Sequence, residues 1–158
     1  MRGPAGEFPL DEQTIYTVGR SLARQFREKL GRTPRFITGR DTRESGAWIE
    51  KAFQAGAVAE GAHCESAEVI TTPGVAFLTK AFEFDAGIVI SASHNPFDDN
   101  GIKFFSATGV KLADDIEQSI EDQMDQPLAC VSSGDLGKAW RVGDAAGRGG
   151  RGVGRGAR

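Results

Sequence analysis

The chain has 158 residues, of which 39% are hydrophobic, 26% charged and 8% aromatic, the usage of one soluble folded domain rather than of a disordered or long multidomain chain. No apolar run approaches the roughly 20 residues of a membrane helix, and the opening MRGPAGEFPLDEQ has no apolar stretch of signal-peptide length, so a cytoplasmic location is expected. The formal charge is −3, but the last twelve residues hold four Arg and no acid, which leaves −7 over residues 1–146.

From Asp11, a good N-cap, Ile15, Val18, Leu22 and Phe26 form one stripe before Gly31, which predicts an amphipathic helix. Thr33-Pro34 then introduce an apolar run, Arg35 to Thr38, read as a strand, followed by the polar turn Gly39-Arg40-Asp41-Thr42-Arg43. Ser45 is placed to cap a second helix with apolar positions Trp48, Ile49, Phe53 and Val58, closed by Gly61. A short strand over 67–70 follows, and Thr71-Thr72-Pro73-Gly74 opens a third helix over 75–82. Ala86-Gly87-Ile88-Val89-Ile90 is apolar throughout, as expected of a central strand covered on both faces. It empties into the turn-rich stretch Ser91 to Gly101, after which 102–106 reads as another strand and 114–124 as a last helix.

Strands alternating with amphipathic helices predict an α/β fold: a three-layer α/β/α sandwich on a mostly parallel mixed sheet, in a single domain over 1–146. Ligands of such sheets bind beyond the carboxyl ends of the strands, which directs attention to the loops at 39–43 and 91–101. Together they offer Arg, His and hydroxyl groups, with Lys103 just beyond the second, a set suited to a phosphorylated ligand. Ser93 stands where the central strand ends, beside His94 and Asn95, with Lys103 ten residues on across a hairpin. Adjacent Ser and His side chains diverge in an extended chain, so Ser93-His94 is not by itself a hydrolase pair, and GxSxG is absent. Asp98-Asp99-Asn100-Gly101 lacks the alternate spacing and closing Glu of an EF-hand and reads as a tight turn. On the residues alone, this stretch is either a phosphate or nucleophile loop or an ordinary polar loop.

Arg40 and Arg43 are expected to act structurally, as partners of Asp41 and Glu44. Phe77, Phe82, Phe84, Phe97, Phe104 and Phe105 are expected in the core rather than as a sugar-stacking platform. Cys64 and Cys130 lie far apart with no metal-ligand spacing and are expected to be free thiols. Ten of the last twelve residues are Gly or Arg, so the segment 147–158 is expected to be disordered. It reads as an RGG-like nucleic-acid arm or as a non-native end; the lack of interleaved aromatics favours the second, and nucleic acid is not the expected partner.

The segment Gly87 to Leu112, GIVISASHNPFDDNGIKFFSATGVKL, resembles the active-site serine segment of the α-D-phosphohexomutases, with wording closest to the bacterial members that act on glucosamine phosphate. Support extends over roughly residues 1–148. Met1-Arg2-Gly3 with Gly6 to Leu10 resembles the end of the family's N-terminal GTDGIRG segment, Gly39 to Arg43 matches GRDTR, Thr72-Pro73 matches a TP pair, and 136–148 is similar to the connector into a second domain.

The resemblance implies that Ser93 is phosphorylated and holds Mg2+ through its phosphate. It further implies that the phosphoryl group passes to a hexosamine phosphate, forms a 1,6-bisphosphate and returns from the other position, interconverting the 6- and 1-phosphates. Lys103 and His94 then stand near the transferred group, Lys103 as acid or base or as a phosphate clamp, and Arg2 and Asn95 are the matching substrate and phosphate contacts. The family's metal loop DGDxDR, sugar loop GExSG and phosphate loop RxSGTEP, which belong to its domains II to IV, are not in this chain. The expectation is therefore a truncated first domain, inactive alone. The alternatives are a phosphoglucomutase or phosphomannomutase specificity, or a non-catalytic module that binds a phosphosugar or nucleic acid.

Overall fold

The computed structural model describes residues 1–112, 118–120, 122, 134 and 136–143. In chain order its elements are β1 (Arg2–Pro4), α1 (Glu12–Leu30), β2 (Arg35–Arg40), α2 (Gly46–Ala59), β3 (His63–Val69), α3 (Thr72–Ala81), β4 (Ala86–Ile90), β5 (Asp99–Ser106) and β6 (Ala139–Arg141). They build one six-stranded sheet in the order β1-β5-β4-β2-β3-β6. The strands β4, β2, β3 and β6 run parallel, and β5 runs antiparallel to both its neighbours β4 and β1.

Local chemistry sets the helix ends. Asp11 caps α1 by accepting from the Thr14 amide at 2.9 Å, and that bond lowers its carboxyl pKa. Gly31 ends α1 in the left-handed conformation. Thr71 caps α3 through the Gly74 amide at 3.2 Å. Ser45, expected to cap α2, makes no such bond; its hydroxyl accepts instead from the Asn100 side-chain amide at 2.9 Å, tying the start of α2 to β5.

The alternation of the strands divides the core into two layers. Phe36, Ile88, Ile90, Ile102 and Phe104 face α1 and α2, where they meet Ile15, Leu22, Ile49 and Phe53. Ile37 and Val89 face the other way and pack with Val75 and Leu78 of α3 and with Phe105. That division is why β4 is buried at all five positions: it is covered from both sides. Each fully buried side chain of this kind contributes about 1.5–3 kcal/mol.

Four differences from the sequence reading have physical causes. Strand β2 extends through Gly39 and Arg40, because both pair in register with Val89 and Ile90, so the turn begins at Asp41. Strand β3 starts at His63 although its sequence, HCESAEV, is largely polar; Glu65 is buried against Arg35 at 3.6 Å. β1 and β6 have three residues each, too few for a period-two pattern to show. The antiparallel strand β5 begins at Asp99, so the tight turn before it runs from Pro96 to Asp99. Of the helix expected over 114–124, only Gln118, Ser119, Ile120 and Asp122 are described, as helical. Cys130, the boundary at 146 and the Gly/Arg segment lie outside the described residues.

Candidate phosphoryl-transfer site

The sequence TGRDTR carries the chain out of β2, VITTPG out of β3 and SASHNPF out of β4, and these three exits border one cleft of about 790 Å³. Asp41 and Arg43 line it from the first, Thr71 and Thr72 from the second, and Ser93 and His94 from the third. The cleft therefore sits at the carboxyl edge of the parallel strands, where the direction of the sheet leaves loops and not side-chain core.

Ser93 is exposed at the mouth of this cleft and adopts φ +56, a left-handed conformation that a non-glycine residue rarely holds without support from its surroundings. Its amide donates to the Ser91 hydroxyl at 3.1 Å. Lys103 reaches it from the neighbouring strand: the antiparallel register sets Lys103 opposite Val89, and its Nζ donates to Ser93 Oγ at 3.0 Å. As a donor at this distance, the Lys103 ammonium is placed to stabilise charge on Oγ.

A second recess of about 340 Å³ opens beside the first and is lined by Arg2, Ser91, Lys103 and Lys111. Arg2 is carried there by β1, whose register pairs it with Gly101, and β1 is held further by the Ile102 amide donating to the Met1 carbonyl at 3.0 Å. Three cationic side chains thus gather around the strand that bears Lys103, a concentration of positive charge suited to phosphate oxygens.

Of the residues singled out from sequence, Ser93 and Lys103 are in contact, His94 lines the same cleft as Ser93, and Arg2 shares the adjoining recess with Lys103. Asn95 borders the cleft, but its side-chain amide donates to Asp99 Oδ2 at 3.1 Å, so it works within the loop. Arg40 is not a partner of Asp41 or Glu44. Its Nη1 meets the buried Glu50 at 2.6 Å, and the Thr38 and Ser66 hydroxyls donate to the other oxygen of that carboxylate, each at 2.6 Å. Arg43 does meet Asp41, at 3.2 Å, yet most of its guanidinium is turned onto the Ser93 loop. That role escaped the sequence reading, since no local pattern announces a partner some fifty positions away; Ser91, whose hydroxyl accepts from the Ser93 amide, was not singled out either.

The Phe residues divide. Phe84 and Phe104 are buried and Phe105 packs against the α3 layer, as expected, but Phe77, Phe82 and Phe97 are exposed, Phe97 by 89%. Phe77 lies off the α3 face that buries Val75 and Thr79, Phe82 stands just past the end of α3 as its C-cap, and Phe97 stands at the tip of the Ser93 loop. Cys64 is buried and free, and burial pushes its thiol up to about 12.

Among the described residues no group of three or more His, Cys, Asp or Glu is placed to hold a metal ion. Of the carboxylates beside the loop, Asp41 is engaged by Arg43 and Asp99 by Asn95. These side chains do not supply the ligand set of the implied Mg2+; they offer a hydroxyl and cations. Among the described residues, no helix is long and apolar enough to cross a membrane.

Residues 1–129 match the sequence profile of the phosphoglucomutase/phosphomannomutase alpha/beta/alpha domain I. Over 153 residues the chain is 50% identical to the phosphoglucosamine mutase of Paraburkholderia xenovorans, covering 94% of this chain and 34% of that protein. It is 49% identical over 150 residues to the phosphoglucosamine mutase of Chromohalobacter salexigens, covering 94% and 33%. The chain thus spans about a third of the length of the curated relatives it matches. Among solved structures, a phosphoglucomutase/phosphomannomutase family protein from Burkholderia thailandensis aligns with a TM-score of 0.74 and 25% identity, over 89% of this chain and 31% of that one.

Proposed function

The chain belongs to the phosphoglucomutase/phosphomannomutase family through its α/β/α domain I, and from that premise we propose that Ser93 carries the phosphoryl group in a mutase acting on glucosamine phosphate. The observation that bears the most weight is the contact between Ser93 Oγ and Lys103 Nζ at 3.0 Å, at the open end of β4. In the forward reaction the bond between phosphorus and Ser93 Oγ breaks as one forms to a hydroxyl of the sugar phosphate. The resulting 1,6-bisphosphate turns over in the cleft and returns its other phosphoryl group to Ser93.

Phosphoryl transfer asks a protein mainly for position and charge neutralisation. Lys103 supplies both to Ser93 Oγ, Arg2 offers a guanidinium to a phosphate in the adjoining recess, and His94 stands beside Ser93 at the cleft. Asn95 helps to shape the loop. Mg2+ bound through the Ser93 phosphate requires carboxylates beyond those described, so the 158 residues by themselves are expected to leave glucosamine 6-phosphate unconverted.

The test is a chimera in which residues 1–146 replace the aligned segment of the Paraburkholderia xenovorans relative. Conversion of glucosamine 6-phosphate that is lost in Ser93→Ala supports the reading. A folded chimera without activity, or one whose activity survives Ser93→Ala, refutes it.

A further inference from the structure

Arg43 leaves the end of β2 and passes under the Ser93 loop, with its side chain only 12% exposed. Its Nη2 donates to the carbonyl oxygens of Ser93 at 3.1 Å and Asn95 at 2.9 Å, and its Nη1 to those of Asp99 at 3.1 Å and Pro96. Its Nε donates to Asp41 Oδ2 at 3.2 Å, while Asp41 Oδ1 accepts from the Arg43 amide at 3.0 Å. A guanidinium has five N–H donors in a fixed planar fork, so all five are spent. Although Arg43 borders the phosphate-sized cleft, it has no donor left for a ligand.

Four carbonyl oxygens converging on one point repel each other unless a cation lies between them, and Arg43 is that cation. Two of the four belong to Ser93 and Asn95, the residues on either side of His94. The loop's own bonds are short-range: Ser93 N to the Ser91 hydroxyl at 3.1 Å, Asn95 N to the Ala92 carbonyl at 3.2 Å, Asp99 N to the Pro96 carbonyl at 3.1 Å and the Asn95 side-chain amide to Asp99 Oδ2 at 3.1 Å. The left-handed φ of Ser93, which brings Oγ to Lys103, is thus fixed from beneath by the guanidinium. We propose that Arg43 is the positioning residue of the Ser93 loop, holding the serine in its reactive conformation without touching the transferred group. The proposal rests on the reading of Ser93 as phosphoryl carrier, and it carries a chemical requirement that a simple positive charge does not meet. Lysine at 43 keeps the charge but presents three donors at a point, and cannot span four carbonyls.

The first test needs no variant. In the 158-residue chain, the Arg43 Nη protons should give separate, slowly exchanging NMR signals, because every donor is held. A single averaged signal overturns the proposal. In Arg43→Lys, amide exchange at Ser93, Asn95 and Asp99 should accelerate by roughly tenfold or more while Ile88 and Val89 in β4 keep their protection.

In the active chimera the same substitution should lower kcat by roughly tenfold or more with KM little changed, and in Arg43→Ala added methylguanidinium should restore part of kcat. A rise in KM at unchanged kcat would make Arg43 a substrate ligand, and exchange like that of the unaltered chain would make it dispensable; either overturns the proposal. If the unaltered chimera is inactive, the phosphoryl-carrier reading falls while the clamp is still judged by Nη signals and exchange in the chain itself.

Discussion

Two helix glycines meet across the contact between α1 and α2, and replacing one of them sets two effects of opposite sign against each other. A Cβ on Gly56 would stand 2.0 Å from the Tyr16 carbonyl oxygen, 2.9 Å from its carbon and 3.1 Å from the Arg20 nitrogen. On Gly19 it would stand 2.2 Å from the Phe53 carbonyl oxygen, so each glycine receives the backbone of the other helix. Helix propensity favours Gly56→Ala by about 1 kcal/mol, because alanine loses less backbone freedom on folding. The obstacle, however, is the hydrogen-bonded backbone of α1, which cannot swing aside as a flexible side chain does.

Restoring an ordinary contact of 3.4 Å or more requires the helices to part by on the order of 1 Å. Parting them loosens Leu22 and Phe53, both fully buried in the same cluster. Overpacking of this kind costs about 3 kcal/mol at the upper end of the usual range, so the net expectation is a loss of about 2 kcal/mol. With a urea slope of about 2 kcal/mol per molar for a domain of this size, the unfolding midpoint should fall by about 1 M. Urea denaturation followed by far-UV circular dichroism measures it. A midpoint unchanged or raised in Gly56→Ala would show that propensity outweighs the close approach, and the packing of α1 on α2 described here would be wrong.

Two further outcomes follow from a half-buried and a buried group. His63 accepts from the Lys138 amide through Nδ1 at 3.0 Å, and burial, Lys138 and Arg35 hold its pKa below 6.5. Because the folded value is depressed, the unfolded chain binds the extra proton more readily; this stabilisation is complete above about pH 6.5 and is lost as pH falls through that value toward the folded one. The urea midpoint should therefore decline below about pH 6.5, and less steeply in His63→Gln; an equal decline in both would show that His63 is not the group responsible. Cys64, with its thiol pushed up to about 12, should resist maleimide in the native chain and react only on unfolding, as read on the peptide that contains it; rapid native labelling would contradict its burial.

Much of this fold is legible in the amino-acid sequence because its strongest signals are local. The Asp11 cap, the stripe Ile15-Val18-Leu22 and the closing Gly31 define α1 almost to the residue, and the unbroken apolar run of β4 marks a strand covered on both faces. Signals weaken where tertiary pairing decides. Glu65 is tolerated in β3 by Arg35, Gly39 and Arg40 are drawn into β2 by β4, and β1 and β6 have no pattern of their own. Phe97 illustrates the reverse error: large and apolar, it looks like core, but it occupies the tip of a loop whose path is set by the carbonyl contacts of Arg43.

The candidate site divides in the same way. Ser93, His94 and Asn95 stand together in the chain, and the hairpin register alone brings Lys103 to them. Arg43 could not be assigned its partners from spacing, since they lie 50 to 56 positions away, on the Ser93 loop and the first residue of β5. Charge was readable and direction was not. The guanidinium that composition offers to a phosphate is spent on the protein's own carbonyls.

The most direct test of the proposed chemistry is to quench the active chimera during turnover and locate the phosphate by tandem mass spectrometry. Phosphate on Ser93, absent in Ser93→Ala and with Ser91 unmodified, is the expected result. Turnover with Ser93 unmodified, or with the phosphate on another side chain, would contradict Ser93 as the phosphoryl carrier.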